Sequence, residues 1–138
     1  MIDVLLSDQP LSLDAAYAAV VDPTCGGIVL FVGTIRNHNK GQTVTHLNFD
    51  AYEPMALREM KRIGEAAATQ FHLAHVSLHH RTSALAIGDI AVIIAVSSHH
   101  RKAAFTGCEY IIDELKQHVP IWKHEYLEDG SYWVNARP

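Results

Sequence analysis

The sequence predicts an α+β fold with a mixed or antiparallel sheet. Three observations carry this reading. Strand-length apolar segments alternate with helical segments of 3–4 periodicity. Several strand pairs are joined by short polar turns. Hydrophobic residues make up 49% of the 138 positions and charged residues 19%, enough apolar mass for a real core. The length fits one domain spanning residues 1–138.

Residues 2–7 (IDVLLS) read as a short strand. Ser12 is placed to N-cap a helix through about Val20, which Pro23 stops. Gly26-Gly27 opens the strand IVLFVGTIR, and Asn37 to Gly41 form a polar turn. TVTHLNFDAY follows with alternating apolar residues, so the two strands read as a hairpin. A helix from about Pro54 to Phe71 aligns Ala56, Met60, Ile63, Ala67 and Phe71 in one stripe. HVSLHHR is a strand before a turn at Ile87-Gly88-Asp89. Ile90 to Ser97 is apolar in both alternating registers and reads as a central strand. The next helix runs from near Ser98 to about His118, burying Ala104, Cys108, Ile111, Ile112 and Leu115. The tail IWKHEYLEDGSYWV reads as two strands about an Asp129-Gly130 turn.

Composition narrows the function classes. A formal net charge of −4 argues against nucleic-acid binding through the phosphate backbone. No apolar run approaches the ~20 residues of a membrane span, and the N-terminus lacks a basic signal region. Cys25 and Cys108 form neither a disulfide framework nor a CxxC site, so a reduced, cytoplasmic protein is expected. Neither HExxH nor a Cys/His quartet is present. His79 and His80 alternate across a strand and point to opposite faces, so no metal site is expected. The glycines match no dinucleotide or P-loop pattern, and no cofactor is expected. Cys108 lies on a buried stripe, where thiols are inert.

Four patches concentrate reactive side chains: Arg36 at a strand exit, Ser98-His99-His100-Arg101 at a helix start, Lys116 near that helix's end, and Lys123 in PIWKHE. A helix N-terminus with a guanidinium is a ready anion site. Each patch also has an ordinary structural role. Arg36 and Lys123 solvate strand edges, and Lys116 complements the helix dipole or pairs with Asp113. On a helical wheel Lys116 borders the apolar stripe beside Ile112 and Phe105, which predicts partial desolvation.

The stretches FVGTIRNHNKG, FDAYEPMA, SSHHRKAAF and LKQHVPIWKHE, with DGSYWV after them, resemble the large, catalytic subunit of molybdopterin synthase over about residues 26–137. The resemblance implies an α/β hammerhead-type fold with an additional antiparallel β subdomain. It implies a homodimer that binds one small ubiquitin-like sulfur-carrier subunit at each end, a heterotetramer. The implied sulfurtransferase reaction moves sulfur from that subunit's thiocarboxylated Gly-Gly terminus to cyclic pyranopterin monophosphate (precursor Z), making the dithiolene of molybdopterin. Lys116 and Lys123 match the catalytic lysines. Thr34, Ile35 and Arg36 match the substrate pocket, and His100 and Arg101 the pair for the substrate's anionic end. His124 and Glu125 match the pocket wall, and Arg137 a C-terminal arginine near it.

Three positions depart from the pattern. Ser83 stands where Gly is usual in HRxGxL, His124 where Lys or Arg is common, and Asp89 where Glu is frequent. Helix geometry adds an independent constraint. Arg101 and Lys116 are fifteen residues apart, roughly 22 Å along a helix axis, too far for one small ligand. If both serve one substrate, they come from different copies of the chain. Two other classes fit the same residues: a non-catalytic module holding a ubiquitin-like tail, and a phosphate-ester or acyl-transfer enzyme.

Overall fold

The computed structural model describes residues 1–135. Its elements are β1 (Ile2–Ser7), α1 (Leu13–Val20), β2 (Gly27–Thr34), β3 (His38–Asn39), β4 (Gln42–Ala51), α2 (Glu53–Phe71), β5 (His75–Arg81), β6 (Ser83–Ala86), β7 (Ile90–Ser98), α3 (Arg101–His118), β8 (Ile121–Leu127) and β9 (Tyr132–Asn135). They form two sheets. The first has the order β1-β5-β7-β2, with β1 parallel to β5 and the other pairs antiparallel. In the second, β4 lies between β8 on one side and β3 and β6 on the other, and β9 pairs with β8.

The expected hairpin between β2 and β4 does not form. β2 pairs with β7, and β4 goes to the other sheet. The cause lies in the side chains. GIVLFVGT is apolar in both registers and needs cover on both faces, whereas β4 alternates and leaves one face to solvent. The first sheet supplies that cover. Ile28 and Leu30 pack with the α1 cluster of Ala16, Val20, Ile93 and Ala95, while Val29 packs on the other side with the larger core. β7 is buried over nearly its whole length because helices cover both its faces. The larger core joins α2 and α3 to the inner face of the second sheet through Leu47, Phe49, Leu85 and Ile121.

Local chemistry sets the ends of the elements. Ser12 Oγ accepts from the Ala15 N–H at 3.1 Å, the predicted cap of α1. α3 starts at Arg101 rather than Ser98. Ser98 ends β7, and its hydroxyl donates to the His100 carbonyl. Gly27 lets that helix start press onto β2, since a Cβ there would lie 2.8 Å from Arg101 Cα. Ser83 has φ +71°, in the left-handed region where glycine is favoured. The short β6, four residues of which Leu85 is the one large apolar side chain, pairs with β4.

Candidate active site

A cleft of about 300 Å³ opens where the two sheets meet, at the end of β2 and the last turn of α3. β2 runs out into Thr34, Ile35 and Arg36. Lys116 enters from α3, and Lys123 and Glu125 from β8. Residues two apart on a strand share a face, so β8 aims both of the latter inward. Phe31, Leu47, Phe49, Val92 and Ile112 line the apolar part. Three of the predicted patches, far apart in sequence, therefore converge: Arg36, Lys116 and Lys123.

Glu125 organises the charge. It is 4% exposed. Its Oε1 lies 2.9 Å from Lys123 Nζ, and its Oε2 accepts from Asn39 Nδ2 at 2.8 Å. Burial alone would raise its pKa. The Asn39 and Lys123 hydrogen bonds, with the Lys123 and Arg36 charges, outweigh burial and hold the carboxyl below its ordinary value. Against this one carboxylate stand three cations, so the cleft favours an anion. Asn39 was not foreseen as a site residue. Its only sequence signal is its place in the polar turn after Arg36.

Lys116 is exposed, so in the single chain the expected desolvation is absent. It makes no ion pair with Asp113 or any other described residue. His124 does not line this cleft. Strand alternation turns it to the other face of β8, where its Nε2 lies 2.9 Å from Asp50 Oδ2. Arg137 lies outside the described residues.

His100 and Arg101 sit at the opposite end of α3. His100 borders a separate hollow with Phe71, His72, Leu73 and His99. Among the described residues, His100 and Lys116 line separate cavities. Among the described residues, no group of three His, Cys, Asp or Glu side chains is placed to hold a metal ion.

His79 and His80 have structural surroundings. His79 Nε2 lies 2.7 Å from Asp3 Oδ2 and 3.1 Å from Ser77 Oγ. His80 is fully buried, edge-on to Phe49, and burial lowers its pKa to about 4.

Comparison with known proteins follows the same lines. A family model described as MoaE protein matches residues 6–118. The chain is 47% identical over 133 residues to molybdopterin synthase catalytic subunit 1 of Mycobacterium tuberculosis, covering 96% of this chain and 90% of that one. It is 35% identical over 135 residues to the molybdopterin synthase catalytic subunit of Pyrococcus abyssi, covering 98% and 91%. The crystal structure of molybdopterin synthase from Staphylococcus aureus superposes with a TM-score of 0.89 at 35% identity, covering 94% of each chain.

Proposed function

The chain belongs to the MoaE protein family, and from that premise we propose that the Arg36–Lys116–Lys123 cleft is where it acts as the catalytic subunit of molybdopterin synthase. The carrying observation is the convergence of these three cations and one neutralising carboxylate in a cleft with an apolar wall.

The substrates are the thiocarboxylated Gly-Gly tail of a small ubiquitin-like subunit and cyclic pyranopterin monophosphate. The tail brings its own sulfur nucleophile, so the cleft need not generate one. It must hold the acyl terminus close, limit water, and manage charge as the thioester forms and hydrolyses. Lys123, fixed by Glu125, supplies a positioned ammonium for developing oxyanion charge. Lys116, without a fixed partner, is free to follow the reacting groups. Arg36 with Thr34 and Ile35 receives the substrate from the strand end. His100 and Arg101 take its anionic end from a second copy of the chain, because the length of α3 separates them from their own lysines. The assembly is a homodimer with a small subunit at each end. No helix of the described residues is long and apolar enough to cross a membrane, which accords with a cytoplasmic enzyme.

Reconstitution with thiocarboxylated small subunit and precursor tests this. Lys116→Ala and Lys123→Ala are expected to bind the small subunit normally and lose dithiolene formation. Unaltered turnover in both would overturn the assignment. A wild-type protein active without the thiocarboxylate would favour a phosphate-ester or acyl-transfer enzyme instead.

A further inference from the structure

Asn39 joins two parts of the cleft that come from distant stretches of the chain. It stands three residues after Arg36, at the end of β3, and its Nδ2 donates to Glu125 Oε2 at 2.8 Å. The other oxygen of that carboxylate, Oε1, lies 2.9 Å from Lys123 Nζ. A carboxylate oxygen can only accept, so the Asn39 amide presents its nitrogen to β8, and each oxygen of Glu125 has its own donor.

The hairpin that carries Asn39 is braced. Lys40 and Gly41, between β3 and β4, have φ of +50° and +79°, the paired left-handed residues of a tight type I′ turn. The Val44 N–H donates to the Asn37 carbonyl at 2.9 Å, and the Glu128 N–H to the Thr43 carbonyl at 2.9 Å, which ties the hairpin base to the end of β8. Glu125 sits opposite buried Leu47 and shares its strand face with buried Leu127. In such an apolar setting a carboxylate oxygen without a donor is costly.

We infer that Asn39 is a positioning residue for sulfur transfer: by occupying Oε2 of Glu125 it leaves Oε1 to fix the Lys123 ammonium in the cleft. This deepens the function proposed above and rests on it. Without the amide, the carboxylate is free to turn, and Lys123 turns with it away from the reacting atoms. The amide also keeps the carboxyl ionised. The other titratable or charged groups lining the cleft are Lys123 on β8, Arg36 at the exit of β2, His38 on β3 and Lys116 on α3. Among the described residues, Lys123 is the one that forms an ion pair with Glu125. Loss of Asn39 removes a donor from the charged form, so the carboxyl takes up its proton at higher pH.

Asn39→Ala and Asn39→Asp test this. Asp matches Asn in shape and sets an acceptor where the donor was, and circular dichroism checks that both variants fold. Carboxyl titration by NMR on protein carrying 13C in its glutamate side chains identifies Glu125 by the signal missing in Glu125→Gln. Its midpoint is expected to rise by about one pH unit in Asn39→Ala and further in Asn39→Asp. Single-turnover sulfur transfer at neutral pH is expected to fall about tenfold in Asn39→Ala and more in Asn39→Asp, with the acid limb of the profile displaced the same way and Kd for the small subunit unchanged. In a Glu125→Gln background, adding Asn39→Ala is expected to cost under about twofold, because both act through one carboxylate.

An unmoved Glu125 titration, wild-type rates in Asn39→Asp, or an undiminished cost of Asn39→Ala in the Glu125→Gln background overturns the inference. Lys123→Ala separates it from the functional reading. Full turnover in Lys123→Ala sinks that reading and the role of Asn39 with it. Lost turnover in Lys123→Ala beside wild-type rates in Asn39→Asp sinks the role of Asn39 alone.

Discussion

Two polar clusters sit on strands of this molecule and differ in one respect. In the first sheet, Asp3, Ser77 and His79 hold each other at 2.7–3.1 Å. In the second, Glu125 holds Lys123 and Asn39 at 2.9 and 2.8 Å. Each contains a carboxylate with two partners, and each hydrogen-bonds well. The first closes on itself. His79 is 5% exposed, and its ring and the Ser77 hydroxyl both engage one oxygen of Asp3, whose side chain is 36% exposed. The second borders a cleft in which Arg36 and Lys116 remain beyond the pairing. A polar cluster becomes a binding site through its unmatched charge and its access, and hydrogen-bond quality does not distinguish the two.

Substitutions sharpen this contrast. The largest effect is expected at Lys123. Lys123→Ala should lower single-turnover sulfur transfer by about a hundredfold or more, since a positioned charge at the reacting atoms is lost, with a lesser fall in melting temperature as buried Glu125 loses a partner. Asp3→Asn should do the reverse in kind, as the self-paired cluster predicts. A tenfold fall in turnover for Asp3→Asn, at unchanged stability, would break the comparison.

Next comes the acid response of His80. Its folded pKa lies at about 4, below the ordinary 6.5. Between those values the unfolded chain takes up a proton that the folded chain refuses. Stability is therefore lost as pH falls through that window, by an amount of order 3 kcal/mol. Urea titrations at pH 7 and pH 4.5 measure the loss, and His80→Gln should flatten the difference. Glu125 acts at lower pH. Its depressed pKa contributes stability that is present above the ordinary carboxylate value and lost as pH drops through the folded one.

For Asp3→Asn, the expected loss is about 1–2 kcal/mol, read from thermal melts. The smallest effect should be a gain. Ser83→Gly removes a left-handed serine and should add about 1 kcal/mol, raising the melting temperature by a few degrees.

Much of this was legible in the sequence. The helices announced themselves through Ser12, Pro54 and the Met60–Ile63–Ala67 stripe, and β7 through its unbroken apolar run. The partner of β2 was not legible. Sequence adjacency to β4 suggested a hairpin, but covering both faces of GIVLFVGT prevailed. The two lysines and Arg36 were singled out as reactive patches and then by family resemblance, and the fold brings them to one cleft. Asn39 was missed because its role depends on its side chain reaching Glu125 of β8, 86 positions away, a long-range contact that local pattern does not encode. His124 was placed in the wall by the family resemblance, and strand alternation turns it to the other face of β8.

Cys108 lies along the α3 face whose far end reaches the cleft, and burial lifts its thiol to about 11. At neutral pH only about one such thiol in ten thousand is ionised. A chain that holds an acyl–sulfur terminus thus keeps its own thiol protonated, so the thiol does not attack the acyl carbon, form a new thioester there and expel the sulfur meant for transfer.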